Sequence, residues 1–231
     1  MTEEAAPVSP GTPITPAMQD YLKAVYRLSA TGPVATQRLA DELRVTAPSA
    51  TNMAKRLHEQ GLLNHEPYHG VTLTAEGRRA ALDVVRRHRL LETYLAEAVG
   101  MSWDEVHDEA ERLEHHLSDR LEGRLDSLLG FPDTDPHGDP IPRGDTDLTP
   151  DPTLLQTPAG AEGTVSRVSD RDPEQLRYLG SLGIVPGARV TVVEHLPFEG
   201  PVRIRVLTPD DADGQEHVLG RVLAEAVRLA S

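Results

Sequence analysis

Between residues 16 and 73 the apolar positions change period along the chain. In TPAMQDYLKAVYRLSATG, Met18, Leu22, Val25 and Leu28 recur at amphipathic-helix spacing, and Pro16 is a favoured first-turn residue. TQRLADEL predicts a short second helix and RVT a tight turn. APSATNMAKRLHEQG predicts a third helix, with Pro48 near its start and Gly61 at its end. LLNHEPYHGVTLT then alternates around a glycine-containing turn, as a β-hairpin does.

A second block, from 74 to 131, keeps helical periodicity. Thr74 is an expected N-cap and Gly100 an expected stop, with Ala81, Val84, Val85, Leu91, Leu95 and Val99 on one face. SWDE, Ser102 to Glu105, is a capping box opening the next helix. The stretch FPDTDPHGDPIPRGDTDLTPDP then reads as a linker over 132–157, too poor in apolar residues to fold alone. From 158 to 231, short β-rich runs with Gly/Pro turns predict a small barrel. The expected fold class is therefore mainly α with a β-rich C-terminal domain, preceded by a disordered, acidic, Pro-rich lead-in at 1–15.

Helix, helix, turn, helix, hairpin is the order of a winged helix-turn-helix over 16–73. Its third helix carries Thr46, Ser49, Thr51 and Asn52, short polar groups able to reach base edges, behind Pro48. Lys55 and Arg56 follow in positions suited to phosphates. The net charge of −14 argues against a nucleic-acid partner until it is mapped. Residues 1–80 hold 8 Lys/Arg and 8 Asp/Glu, whereas 81–131 hold 6 against 12 and 132–231 hold 9 against 17. The acidity lies outside the first third, which leaves that third open to duplex DNA. With no cysteine, disulfides and thiolate metal sites are excluded. No apolar run reaches the roughly 20 residues of a membrane span, and a cytoplasmic protein is expected.

The stretch EVHDEAERLEHHLSD, residues 105–119, holds the candidate chemistry. Its spacing predicts one amphipathic helix, with Val106, Ala110, Leu113, Leu117 and Leu121 as its apolar face. His107, Glu111, Glu114 and His115 then share an arc of roughly 100° abutting that face. Partly buried carboxylates need a counter-charge. Arginine is one source, with Arg112 near; a divalent cation is the other. His88 and Glu92, four residues apart on the preceding helix, add a second His/Glu pair and favour the cation.

These motifs, RRHRLLETYL, GMSWDEVHDEAERLEHHLSD and PHGDPIP, resemble the diphtheria toxin repressor family of metal-dependent transcriptional regulators. The resemblance runs from about Pro16 to Ser231, and LGIVPG is similar to the turn of FeoA-type SH3-like domains, which that family also carries. It implies a winged-helix DNA-binding domain, a helical metal-binding and dimerisation domain at 74–131, and an SH3-like domain at 158–231. It also implies two metal sites per chain. The primary site would use Asp20, Glu111, Glu114 and His115. The second would use His88, Glu92 and His107, with Asp172 and Gln175 from the C-terminal domain; Asp172 also suits a helix N-cap. Iron-tuned members tend to carry Met and Cys where this chain has Asp20 and Glu111. A set of three carboxylates and one imidazole is hard and oxygen-rich, which fits Mn²⁺, with Fe²⁺ as the alternative. Lys23 stands where short manganese-type members have a bridging Glu, so separated sites are expected rather than a bridged pair there. His116, His137, His195 and His217 are read as surface or structural, and His58, His65 and His69 belong to the DNA-binding part.

The implied function is a metal-activated repressor of uptake genes, a homodimer on palindromic double-stranded operators, with metal orienting the two recognition helices. A di-metal oxidase of the Glu-x-x-His type finds its spacing only from Glu66 to His69, beside Pro67 in the wing, and no enzyme is expected. A metal-storage or transport-accessory protein built on the SH3-like tail would leave the winged helix without a task.

Overall fold

The computed structural model describes residues 13–29, 32–66, 69–144, 151–208 and 211–230. Most of the expected lead-in, residues 1–12, and Pro67 in the wing lie outside them. The chain divides into two units, Met1–Arg86 with Pro142–Asp145, and Arg87–Ile141 with Thr146–Ser231.

In the first unit, α1 (Pro16–Leu28) is opened by Thr15, whose hydroxyl accepts from the Met18 amide. Its inward face is the expected one: Met18, Leu22, Val25 and Leu28 are buried. α2 (Thr36–Glu42) buries Leu39 and Ala40, and α3 (Ala47–Glu59) buries Ala50, Ala54 and Leu57 along one stripe. β1 (Leu63–Glu66) and β2 (Gly70–Leu73) pair antiparallel, Leu63 opposite Leu73, and Val34 bridges to Val71. Gly70, at φ +93°, lets this backbone pass against the Val34 carbonyl, which a β-carbon would meet at 2.6 Å.

The stripe that buries one face of α3 turns the other outward. Pro48, Ser49, Asn52, Lys55 and Arg56 are exposed. All three expected base-reading hydroxyls are engaged within the protein: Thr46 caps the helix through the Ser49 amide, Thr51 donates to the Ala47 carbonyl at 2.9 Å, and Ser49 hydrogen-bonds the Tyr21 side chain.

Helix α4 (Ala75–Tyr94) is capped by Thr74, whose hydroxyl accepts from the Gly77 amide at 3.0 Å. It belongs to the first unit as far as Arg86 and to the second from Arg87. A π-turn, Leu95–Val99, ends at Gly100 in the left-handed conformation, the expected stop. Ser102 Oγ donates to Glu105 Oε2 at 2.6 Å, but SWDE does not open the next helix as a capping box: that helix begins only at Val106, and Glu105, at its N-cap, makes no side-chain cap bond.

The stretch 105–119 is not one helix. α5 (Val106–Leu113) tightens into a 3₁₀ turn at Glu114–His116, and α6 (Asp119–Leu128) starts afresh behind Ser118, which caps it through the Leu121 amide. The Ser118 cap competes with continuation of α5 and wins. The predicted apolar faces are corrected accordingly: Val106, Ala110 and Leu117 are buried, but Leu113, Leu121 and Val99 are 39%, 49% and 55% exposed.

Residues 132–141 of the stretch expected to be a spacer are built into the second unit. Thr134 bridges to Pro140, and Asp135, His137, Asp139 and Ile141 are all buried. Arg89 explains how so polar a loop can be internal: its guanidinium reaches Asp139 at 2.7 Å, lies 3.7 Å from Asp135 and donates to the Pro140 carbonyl. Arg167 pairs with Asp139 from the other side at 2.6 Å.

The β-rich region is a five-stranded antiparallel sheet in the order β6-β5-β4-β3-β7. The strands are β3 (Glu162–Val168), β4 (Arg189–His195), β5 (Val202–Thr208), β6 (Asp211–Leu219) and β7 (Val227–Ala230), with α7 (Pro173–Ser181) and α8 (Arg221–Ala226) between them. Val165, Val190, Val192, Ile204, Leu176, Leu179 and Ile184 fill its core.

Gly77 supplies a test of the first unit. Helix propensity alone favours alanine over glycine in a helix interior by about 1 kcal/mol. A β-carbon there would sit 1.9 Å from the Leu62 carbonyl oxygen. Gly77→Ala is therefore expected to destabilise the protein, by about 1–3 kcal/mol as overpacking does, in a urea or thermal unfolding measurement.

Candidate metal centre

Helix α4 places His88 and Glu92 one turn apart, and both side chains are buried, with 1% and 0% exposure. Helix α5 brings His107 to face them. The segment after β3 adds Asp170, which is also buried. His88 Nε2 lies 3.0 Å from Glu92 Oε1, and His107 Nδ1 lies 3.1 Å from Glu92 Oε1, 3.1 Å from His88 Nε2 and 3.1 Å from Asp170 Oδ2. Ligand atoms about 2.1 Å from one cation, at right angles to one another, are roughly 3 Å apart. Two imidazole nitrogens and two carboxylate oxygens from separate elements thus converge at the spacing a divalent ion requires. The residues fit a metal.

The other ring nitrogen of His88 is committed as well. Nδ1 contacts Glu114 Oε2 at 2.6 Å, with Glu111 Oε1 at 4.0 Å. With Nδ1–H donating to Glu114, His88 would present an Nε2 lone pair to a bound cation once the Nε2 proton is displaced, the carboxylate–histidine–metal arrangement that fixes a ligand's tautomer. Glu114, itself buried, has His115 Nε2 at 3.6 Å from its second oxygen. Glu111, His107 and His88 are thereby neighbours, with Glu111 Oε1 3.7 Å from His107 Nε2. Of the expected primary set, Glu111, Glu114 and His115 stand together in the second unit, and Asp20 is half-buried on α1 of the first.

Protonation compensates for the negative charge. Burial alone would raise the Glu92 carboxyl, but the His88 charge and hydrogen bonds from His107 and His88 hold it well below the usual carboxylate range. Burial opposes a charged His107, but its hydrogen bonds to Asp170 and Glu92, together with their charges, push it up to about 10. Nearby, burial and then the charges of Glu92 and Asp139 raise Asp135 well above the ordinary carboxyl value. Protons stand where a divalent cation would neutralise the same groups.

The contribution of the C-terminal domain differs from expectation. Asp172 is spent as the N-cap of α7, accepting from the Glu174 and Gln175 amides, and Gln175 Nε2 donates to its second oxygen at 3.0 Å. Neither joins the cluster; Asp170, two residues earlier, does. The DRDPE pattern offers two aspartates, and the Asp-Pro-Glu cap claims the second because its backbone amides are already in place. His137 is another residue the spacing did not reveal. It is fully buried, its Nε2 donates to the Trp103 carbonyl at 2.7 Å, and its ring stacks on Trp103. With Glu92 and Asp135 it forms a further group of possible ligands. His195 is exposed and contacts the Thr157 carbonyl, and His116 is exposed.

Comparison with known proteins matches this architecture part by part. Residues 13–71 match the iron dependent repressor N-terminal DNA binding domain, 74–143 the iron dependent repressor metal binding and dimerisation domain, and 153–230 the FeoA domain. The iron-dependent repressor IdeR of Mycobacterium tuberculosis is 33% identical over 225 residues, covering 90% of this chain and 94% of its own. The chain belongs to the diphtheria toxin repressor family. Like its relatives it is a metal-dependent transcriptional repressor built on a winged helix. IdeR of Mycobacterium leprae is 35% identical over 189 residues, 74% of this chain and 81% of its own. Among solved structures, a manganese-dependent transcriptional repressor in complex with manganese is 46% identical, with a TM-score of 0.85 over 92% of this chain and 99% of that one. ScaR with bound Cd²⁺ is 31% identical, with a TM-score of 0.79 over 92% and 98%.

In this repressor the match to the metal-binding domain ends at Arg143, so it takes in the buried Asp135–Asp139 loop. The substitution pair Asp170→Ala and Asp172→Ala separates ligand from cap. Asp170→Ala is expected to lose one divalent ion per chain by elemental analysis after dialysis. Asp172→Ala is expected to keep that ion and to lose about 1 kcal/mol of stability, the usual worth of an N-cap.

Proposed function

We propose that the protein is a Mn²⁺-activated repressor that binds palindromic operators of metal-uptake genes as a homodimer in the cytoplasm. The donor chemistry carries this reading: the regulatory set Asp20, Glu111, Glu114 and His115 offers carboxylates and an imidazole, and the chain has no cysteine. Such a set suits a hard divalent ion and offers nothing specific to a thiophilic one. The manganese-dependent repressor at 46% identity supports the same metal. The names of the mycobacterial relatives favour Fe²⁺ as the second reading. Mn²⁺ stands low in the first-row affinity order, so selectivity would rest on geometry and metal supply.

The second site, His88, Glu92, His107 and Asp170, would hold another ion of the same kind. The direct His88–Glu114 hydrogen bond gives occupancy there a route to the regulatory set. The exposed Asn52, Lys55 and Arg56 would address DNA, with Thr46, Ser49 and Thr51 contributing if they exchange their present bonds. Exposed Leu113, Leu121, Leu128 and Phe131, in the region matched as a dimerisation domain, support a partner copy as their cover. Bound metal would act by binding one arrangement of the dimer better, with half-sites about 34–36 Å apart. None of the described helices is long and apolar enough to cross a membrane, and no catalytic role is proposed.

Operator binding titrated with and without Mn²⁺ tests the proposal. Mn²⁺ is expected to tighten binding at least about tenfold, within the usual range of allosteric coupling. Asp20→Ala and Glu111→Ala are expected to reduce that factor to about one while leaving the melting temperature of the metal-free protein nearly unchanged. Equal affinity in Mn²⁺ and in chelator would overturn the reading, and a response to Fe²⁺ alone would favour the second.

A further inference from the structure

We propose a third cation position in the second unit, held by Glu92, Asp135 and His137 and joined to the second site by the Glu92 carboxylate. It rests on the reading of His88, Glu92, His107 and Asp170 as a metal centre.

Glu92 divides its two oxygens between two environments. Oε1 faces His88 and His107. Oε2 is buried and has no hydrogen-bond partner among the described residues. The His137 Nδ1 atom 3.9 Å from it is likewise buried and without a partner. Both residues are fully buried. The reason they do not satisfy one another lies behind the ring. His137 Nε2 is 2.7 Å from the Trp103 carbonyl, which can only accept, so the ring hydrogen is on Nε2. In the neutral ring Nδ1 is then a lone pair aimed at a carboxylate oxygen. The third member, Asp135, has Oδ1 4.0 Å from His137 Nδ1 and is fixed by the backbone amides of His137 and Asp139 at 2.9 Å each. Two unpartnered acceptors, with the amide-held Asp135 carboxyl beside them, thus face one buried point.

Unpaired buried acceptors are costly, and a buried carboxylate more so. The arginines nearby do not close the balance. Asp139 is met by both Arg89 and Arg167, while Asp135 has Arg89 at 3.7 Å. Glu92 has no arginine among the ion pairs it forms and relies on imidazoles. A divalent cation among Glu92 Oε2, Asp135 and His137 Nδ1 satisfies both unpartnered atoms at once, with Asp135 as a further ligand. Ligand atoms bound at about 2.1 Å lie roughly 3–4.2 Å apart, depending on whether they are adjacent or opposite. The observed 3.9 and 4.0 Å fall inside that range. Two carboxylates and one imidazole are a hard set of the same kind as the other sites. The Trp103 carbonyl serves His137 as Glu114 serves His88, fixing which nitrogen is presented. A carboxylate shared between two cations would make the second and third positions load together.

The test counts bound metal in the full-length protein dialysed against saturating Mn²⁺, for wild type, His107→Ala and His137→Gln. His137→Gln is expected to hold at least one Mn²⁺ fewer per chain than wild type. A folded His137→Gln that keeps the wild-type count, while His107→Ala loses an ion, overturns the third position and leaves the second standing. An unchanged count in His107→Ala instead sinks the second-site reading, whatever His137→Gln does. Should His137→Gln fail to fold, anomalous diffraction from Mn²⁺-soaked wild-type crystals decides. A peak bonded to Glu92 Oε2 and His137 Nδ1 supports the position, and peaks at other sites with none there overturn it.

Discussion

Buried carboxylates must meet positive charge, and the second unit is organised around that requirement. Glu92, Glu114, Asp135 and Asp139 are all nearly inaccessible to solvent. Leaving any one of them ionised and unpaired in such surroundings would cost several kcal/mol. Each has therefore drawn a cationic or donor group to it: His88 and His107 for Glu92, His88 for Glu114, Arg89 and the His137 and Asp139 amides for Asp135, and Arg89 and Arg167 for Asp139. Helix α4 supplies His88, Arg89 and Glu92 within one turn and a residue. It is the element against which the polar loop 133–141 and the His88, Glu92, His107 and Asp170 cluster are both set.

This arrangement makes His88 the pivot. One nitrogen serves the cluster with Glu92 and His107, and the other holds Glu114. Whatever binds on one side fixes the ring for the other, because a neutral imidazole has one hydrogen and one lone pair to distribute. His88, on α4, thus ties two candidate ligand sets to one side chain. The 3₁₀ turn at Glu114–His116 matters here, since it sets Glu114 and His115 at the end of α5 rather than midway along a longer helix.

Much of this was legible in the chain. The winged helix could be read from Met18, Leu22, Val25 and Leu28 and from Pro48 and Gly61, because local periodicity and caps act over a few residues. His88, Glu92 and His107 could be nominated because residues four apart on a helix share a face. The break after Leu113 was less visible: Ser118 reads as an ordinary polar position until its hydroxyl is seen holding the Leu121 amide.

By itself the sequence determined the order of elements, the α-helical ligand pairs and the hard character of the donor set, since each depends on residue type and short spacing. Tertiary structure alone decided which aspartate of DRDPE turns to the cluster, Asp170 and not Asp172. It alone turned a Pro/Gly/Asp-rich stretch into a buried loop carrying Asp135 and His137. Both outcomes depend on partners distant in the chain, such as Arg89 for the loop and His107 for Asp170. A low-hydrophobicity segment is predicted to stay outside because its own residues cannot offset its ordering entropy. When an arginine and backbone amides from elsewhere satisfy its acids, that local argument no longer applies.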